Sequence, residues 1–168
     1  MNLTVGENHS LSIPASCGRS ALDLPYSKIK EGERRLVEAR VVNGATYSDL
    51  EYTYNEGYRQ ARSNLSSVGY EIAQTKRVIR KIRSEYLLDE YPPFLKEKKL
   101  KDNAQNREAY LDSQEDYVAA TDRLDMLVAI ESLLEGKVKV FENVCRYMKK
   151  EIEIQLRSGM TDNKYIGR

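Results

Sequence analysis

Apolar positions alternate four and three residues apart through Tyr54, Tyr58, Ala61, Leu65, Val68, Ile72, Thr75, Ile79, Ile82 and Tyr86. A second run takes in Tyr110, Ser113, Tyr117, Ala120, Leu124, Leu127, Glu131, Leu134, Val138, Phe141, Cys145, Met148 and Ile152. Such spacing places side chains on one narrow stripe of an α-helix, the seam of a coiled coil. Two stripes separated by Pro92-Pro93 predict an all-α fold, an elongated antiparallel helical hairpin whose core is an interface. Ser48 and Glu51 have the spacing of a capping box, so the first long helix is expected over 48–88. The prolines end it, because proline has no N–H and disfavours helix in the residue before it. A lysine-rich connector follows over 89–102, and Asp102 or Asn103 caps a second long helix over 103–157, with Gly136 marking a bend.

Ahead of the hairpin, Ile29, Leu36, Val37 and Val41 recur at helical intervals, which predicts a short amphipathic helix over 26–42, weakened by Gly32. Val41-Val42-Asn43-Gly44-Ala45-Thr46 reads as a turn between helices or as a small β-hairpin. Residues 1–25 hold Gly6, Pro14, Gly18 and Pro25 without a sustained period and are expected to be a mobile tail, as is 158–168; the helical domain is 26–157.

Charge adds orientation. Arg59, Arg62, Lys76, Arg77, Arg80, Lys81 and Arg83 oppose only Glu71 between residues 57 and 84. Asp112, Glu115, Asp116, Asp122, Asp125, Glu131 and Glu135 oppose only Arg123 between 112 and 135. Folding at the prolines sets the two stretches alongside, so charge specifies an antiparallel register. Arg59, Arg62, Lys76, Arg80 and Arg83 fall on a flank suited to pairing with the acidic helix, whereas Arg77 and Lys81 point outward. The basic cluster is thus open to two readings, structural pairing or contact with nucleic acid. Past residue 135 the apolar surface widens, while a first helix starting at Ser48 runs out opposite residue 143. Phe141, Val144, Cys145, Met148 and Ile152 are therefore expected to hold subunits together, since a wet apolar stripe is unfavourable.

Composition narrows the function. The 168 residues carry a net charge of +1, so an electrostatic partner must be met by a local patch. No apolar run reaches membrane-spanning length and no leader-like segment opens the chain, which predicts a cytoplasmic protein without a membrane partner. Cys17 and Cys145 lack metal-ligand spacing and read as reduced thiols. The lone histidine, His9, lies in the expected tail, and no Glu-x-x-His pair or phosphate-cradling glycine loop is present. Nucleophile, base and orienting group cannot be assembled, so the chain reads as a non-enzyme without metal or cofactor.

Glu33-Arg34-Arg35-Leu36-Val37, the turn at 41–46, Leu50-Glu51-Tyr52, and Arg80-Lys81-Ile82-Arg83 followed by Tyr86 occur in an order that resembles the phage recombination mediator family typified by UvsY. The family's basic-x-basic element falls on Lys81 and Arg83; Ile82, Ser84 and the long Pro-Pro connector depart from its pattern. The resemblance covers 28–155. It implies a DNA recombination and repair protein, a homo-oligomer in a host cytoplasm if phage-encoded. Such a protein binds single-stranded DNA and helps a RecA-like recombinase replace single-stranded DNA-binding protein. The DNA-binding residues are then expected among Arg77, Arg80, Lys81, Arg83, Lys96, Lys98 and Lys99, with Tyr91 stacking on bases. The seam by itself demands no more than a structural or adaptor coiled coil, such as a virion or scaffold component without DNA contact, and a third class is a small inhibitor that docks a helix into a groove.

Overall fold

The computed structural model describes residues 10–38 and 44–162. The chain is predominantly helical, with one small strand pair, β1 (Ser10–Ile13) and β2 (Leu22–Pro25). Helices α1 (Ser27–Glu38) and α2 (Gly44–Glu85) follow. A π-helical turn over Tyr86–Glu90 leads into α3 (Tyr91–Lys98), and α4 (Ala104–Leu111) and α5 (Glu115–Asp162) complete the fold. Two compact units divide these elements: residues 12–23 with 66–132, and residues 24–65 with 133–162 and the start of β1. Both α2 and α5 contribute to each unit.

In the first unit, Val68, Ile72 and Thr75 of α2 are buried, as are Tyr117, Ala120, Leu127 and Ile130 of α5. Tyr86 donates to Asp116 (2.9 Å) and Glu71 accepts from Arg123 (3.3 Å), so the helices run in opposite directions there. Glu71 and Arg123 are the odd charges in their respective runs, and they find each other. The Arg123 side chain is 1 % exposed and also donates to the carbonyls of Pro14 and Ser20. Arg19 adds a second cation on Glu71 at 2.5 Å. Hydrogen bonding from Arg19 first, then from Arg123, holds the Glu71 carboxyl below the usual range despite burial.

These contacts explain why residues 10–25 do not behave as the expected mobile tail. Leu11, Ile13 and Leu24 are buried, Ser12 donates to Asp23 across the strand pair, and Ser16 and Arg19 form a further antiparallel bridge. Cys17 and Gly18 supply the left-handed backbone of the turn (φ 54° and 71°), and Arg123 anchors that loop through main-chain carbonyls.

In the second unit, Leu50, Tyr54 and Ala61 of α2 pack with Ile29 of α1 and with Leu134, Val138, Phe141 and Met148 of α5 in the buried core. The Phe141 ring fits between two glycines: a Cβ on Gly32 would stand 2.6 Å from it, and one on Gly57 2.8 Å. Gly32 is thus required by packing rather than a mere weakness in α1. Polar side chains of α2 fasten the entry to α1. Gln60 accepts from the Lys28 and Ile29 N–H groups, two of the donors a helix start leaves free, and Asn64 donates to the Pro25 carbonyl (2.7 Å). Lys137 pairs with Glu33.

Several expected boundaries move. Gly44 opens α2, so Ser48 lies a full turn inside it and its capping box with Glu51 is not the start. Residues 39–43, which include half of the 41–46 turn, lie outside the described residues, and the other half, from Gly44, is helical. Pro92 and Pro93 do not terminate the helical path but occupy the first turn of α3, where their missing N–H groups cost least. Helix α3 is capped by Lys99, whose left-handed conformation (φ 54°) lets Leu100 donate back to Leu95 (3.1 Å). Asn103 caps α4 as expected, accepting from the Asn106 N–H. The second long helix is broken at 112–114. There Ser113 Oγ and Gln114 Nε2 both bond the Tyr110 carbonyl that the Gln114 N–H would otherwise take. That N–H turns to Leu111 instead (2.9 Å), and α5 then runs through Gly136 without interruption.

Candidate nucleic-acid interface

On α2 the inward positions Val68, Ile72 and Thr75 fix which residues face water. Tyr70, Lys76, Arg77, Arg80 and Lys81 are all exposed. At 100° per residue, Tyr70, Arg77 and Lys81 lie nearly in line, with Arg80 and Lys76 about 60° and 100° round the helix from Arg77 on one flank. Lys76, Arg77 and Arg80 form no ion pair among the described residues; Arg80 reaches only the Lys76 carbonyl (3.3 Å). Lys81 makes a loose pair with Glu85 one turn on, at 3.6 Å. Among the described residues these four cations therefore form a positive row with only the loose Lys81–Glu85 pair to offset it.

Tyr70 is the residue that sequence reasoning missed. Its side chain is 62 % exposed beside this row, whereas the sequence reading offered Tyr91 for stacking on bases. The signal was present, since Tyr70 falls two residues after Val68 and two before Ile72, off the 3/4 stripe.

The remaining expected site residues are placed differently. Arg83 is half-buried and gives its guanidinium to Glu108 (2.6 Å), which raises its pKa. It is a cross-helix pairing residue. Arg59 pairs instead with Glu56 on its own helix (2.9 Å), and the Arg62 guanidinium lies 6.0 Å from the Tyr58 ring centre. Buried packing and polar pairs such as Glu71–Arg123 and Tyr58–Glu142 join α2 to α5. Lys96, Lys98 and Lys99 are exposed, with Lys98 near Glu97 (3.1 Å). Tyr91 is 3 % exposed, locked in a cluster with Phe94 and Tyr110 (ring centres 6.4 and 5.3 Å), so it offers no face to a base.

Phe141 and Met148 are buried within a single chain and cannot form a subunit interface. The register explains it: α2 begins before Ser48, and Asn55 already faces Cys145, so α2 covers α5 beyond residue 143. Val144, Cys145 and Ile152 are half-buried. Burial pushes the Cys145 thiol up. Apolar side chains left open on this stretch of α5 include Leu133, Val140, Tyr147 and Ile154, seven residues apart, and Leu156, with Tyr147 63 % exposed.

Among the described residues no group of His, Cys, Asp and Glu side chains is arranged to hold a metal ion, and no helix is long and apolar enough to cross a membrane. Comparison of the chain with protein-family models, with curated proteins and with solved structures finds no match in any of the three.

Proposed function

We propose that this protein binds single-stranded DNA as a homo-oligomer through the exposed row of α2, and that it acts as a recombination mediator. The observation that carries the reading is the row itself: Lys76, Arg77 and Arg80 without acidic partners among the described residues, beside the outward ring of Tyr70. Cations spaced along a helix meet a phosphate backbone, and an exposed ring accepts any base by stacking, which suits sequence-independent binding. A few contacts per subunit are weak, and repetition over several copies on one flexible strand makes them strong. Leu133, Val140, Tyr147 and Ile154 are the surface for self-association, in place of the buried Phe141 and Met148. Exchange of single-stranded DNA-binding protein for a RecA-like recombinase is supported by the order of sequence features alone.

Fluorescence anisotropy with labelled oligo-dT at two salt concentrations tests the DNA claim. Binding should weaken as salt rises. Arg77→Ala/Arg80→Ala should lower the log–log salt slope by about 0.7 for each phosphate contact removed. Tyr70→Ala should weaken binding without altering that slope, and Lys150→Ala should change little. Absence of salt-dependent binding by the unaltered protein would leave the structural or adaptor coiled coil, a class favoured by Arg83 being consumed in pairing with Glu108. Tyr147→Glu, followed by light scattering, should reduce the assembled mass.

A further inference from the structure

The first compact unit carries two charged faces that its own fold leaves unmatched. One is the basic row of α2, Lys76, Arg77, Arg80 and Lys81. The other lies on α5, where Glu115, Asp122 and Asp125 are exposed and form no ion pair among the described residues. Between residues 115 and 132 the sole cation in the sequence is Arg123, which is buried and spent on Glu71 and two main-chain carbonyls. Arg19, on the loop whose Ser16 bonds α5 at the Ala119 carbonyl, is likewise taken up by Glu71. Each face also has an open apolar side chain, Tyr70 on α2 and Val128 beside the acids of α5, 45 % exposed.

At 100° per residue, Arg77 and Lys81 lie about 140° and 180° round α2 from the buried Ile72. Asp122 and Asp125 lie about 140° and 160° round α5 from the buried Leu127. The helices of this unit meet through their buried sides, where Glu71 accepts from Arg123, so the basic and acidic faces point away from each other. One chain therefore cannot neutralise its own faces, whereas a second copy presents each face with its opposite. We infer that the α2 row of one copy docks on the acidic α5 face of a second copy. Arg77 and Lys81 are one turn apart, as are Asp122 and Asp125, so cations and carboxylates recur at similar intervals of about 4.5–6 Å. Such a contact uses a different surface from each copy and leaves one free face of each sign, so it joins copies head to tail. Exposed pairs are individually weak and screened by salt, which makes the contact reversible. The inference goes beyond the proposed DNA binding, which draws on the same α2 row: a strand takes the row by displacing the acidic face, while the apolar side chains at Leu133, Val140 and Tyr147 keep copies together.

The test is light scattering of the full chain without DNA, at low and high salt. Arg77→Glu/Lys81→Glu and Asp122→Lys/Asp125→Lys each set like charges against each other. Each alone should lose the salt-sensitive part of the assembled mass, its half-assembly concentration rising at least about tenfold. Mixed in equal amounts, the two variants meet opposite charge at every contact and should regain the parent's mass. Asp122→Asn/Asp125→Asn, a change of charge with little change of shape at exposed positions, should weaken assembly in the same direction. Parental mass in both charge-reversed variants overturns the inference, as does failure of the mixture to recover when circular dichroism shows both variants folded. Where a reversal unfolds the chain, parental mass in the Asn variant overturns it instead. The Asn variant keeps the basic row and should bind oligo-dT at least as tightly as the parent, so failed assembly and failed DNA binding are read separately.

Discussion

Replacing Gly57 by alanine pits two effects of known size against each other. Alanine is favoured over glycine inside a helix by about 1 kcal/mol, so an unobstructed site would be stabilised. At Gly57, however, the new Cβ would stand 2.8 Å from Phe141 Cζ and 3.1 Å from both Cε atoms. Carbon atoms in ordinary contact sit about 3.5–4.0 Å apart, so the ring must withdraw by roughly 0.7 Å or more. Its room to withdraw is limited: Phe141 is fully buried, Gly32 abuts the same end of the ring, and Tyr54 lies 6.4 Å away between ring centres, leaving only the cleft that the ring lines with Asn55 and Cys145. Overpacking of this kind costs about 1–3 kcal/mol and exceeds the propensity gain. The net expectation is a loss of about 1 kcal/mol, or roughly 2–4 °C in Tm for a chain of this size. Gly136→Ala is the control, because a Cβ there meets nothing within 4 Å, and it should stabilise by about 0.5–1 kcal/mol. Urea and thermal unfolding followed by circular dichroism read both. In a Phe141→Leu background the cost of Gly57→Ala should shrink, since the smaller side chain leaves room, giving a coupling energy of about 1 kcal/mol. Equal stabilisation by Gly57→Ala and Gly136→Ala would refute the packing argument.

Glu71→Ala strands the buried Arg123 cation and should destabilise by about 3–5 kcal/mol in urea unfolding. Arg83→Ala, at a half-exposed pair, should cost less than about 1 kcal/mol. Because the Glu71 carboxyl is depressed in the folded protein, its contribution is complete above the unfolded carboxylate value of about 4.3 and is lost as pH falls below that through the lowered pKa. Unfolding free energies measured from pH 5 down to pH 2 should therefore fall less steeply in Glu71→Gln than in the parent. The Cys145 thiol, raised by burial, should react with a disulfide reagent at pH 7.5 more slowly than the same thiol in urea-unfolded protein, and comparable rates would count against its burial.

The seam was legible in the chain because helical periodicity is a local property. Val68, Ile72, Leu127, Leu134 and Val138 are buried where their spacing put them, since a 3/4 repeat has one face whatever lies beyond it. The Asn103 cap was legible for the same reason. The meaning of Pro92-Pro93 was only half legible: proline excludes a helix interior, and a helix end and a helix beginning both satisfy that rule.

What the fold decided depends on residues far apart in sequence. Leu11, Ile13 and Leu24 alternate over runs too short to signal strands, and Arg123 reaching the Pro14 and Ser20 carbonyls is what fastens them. Phe141 and Met148 have the chemistry of either a core or an interface; glycines at 32 and 57 and an early start to α2 place them inside. Glu71 and Arg123 stood out as lone charges of the wrong sign, yet only the antiparallel register turned that oddity into a pair. The basic cluster was divided in the same way. Arg83 has an acid across the helix pair, while Arg77 and Arg80 form no ion pair among the described residues, and one-dimensional charge order cannot tell them apart because a side chain's partner is set by packing.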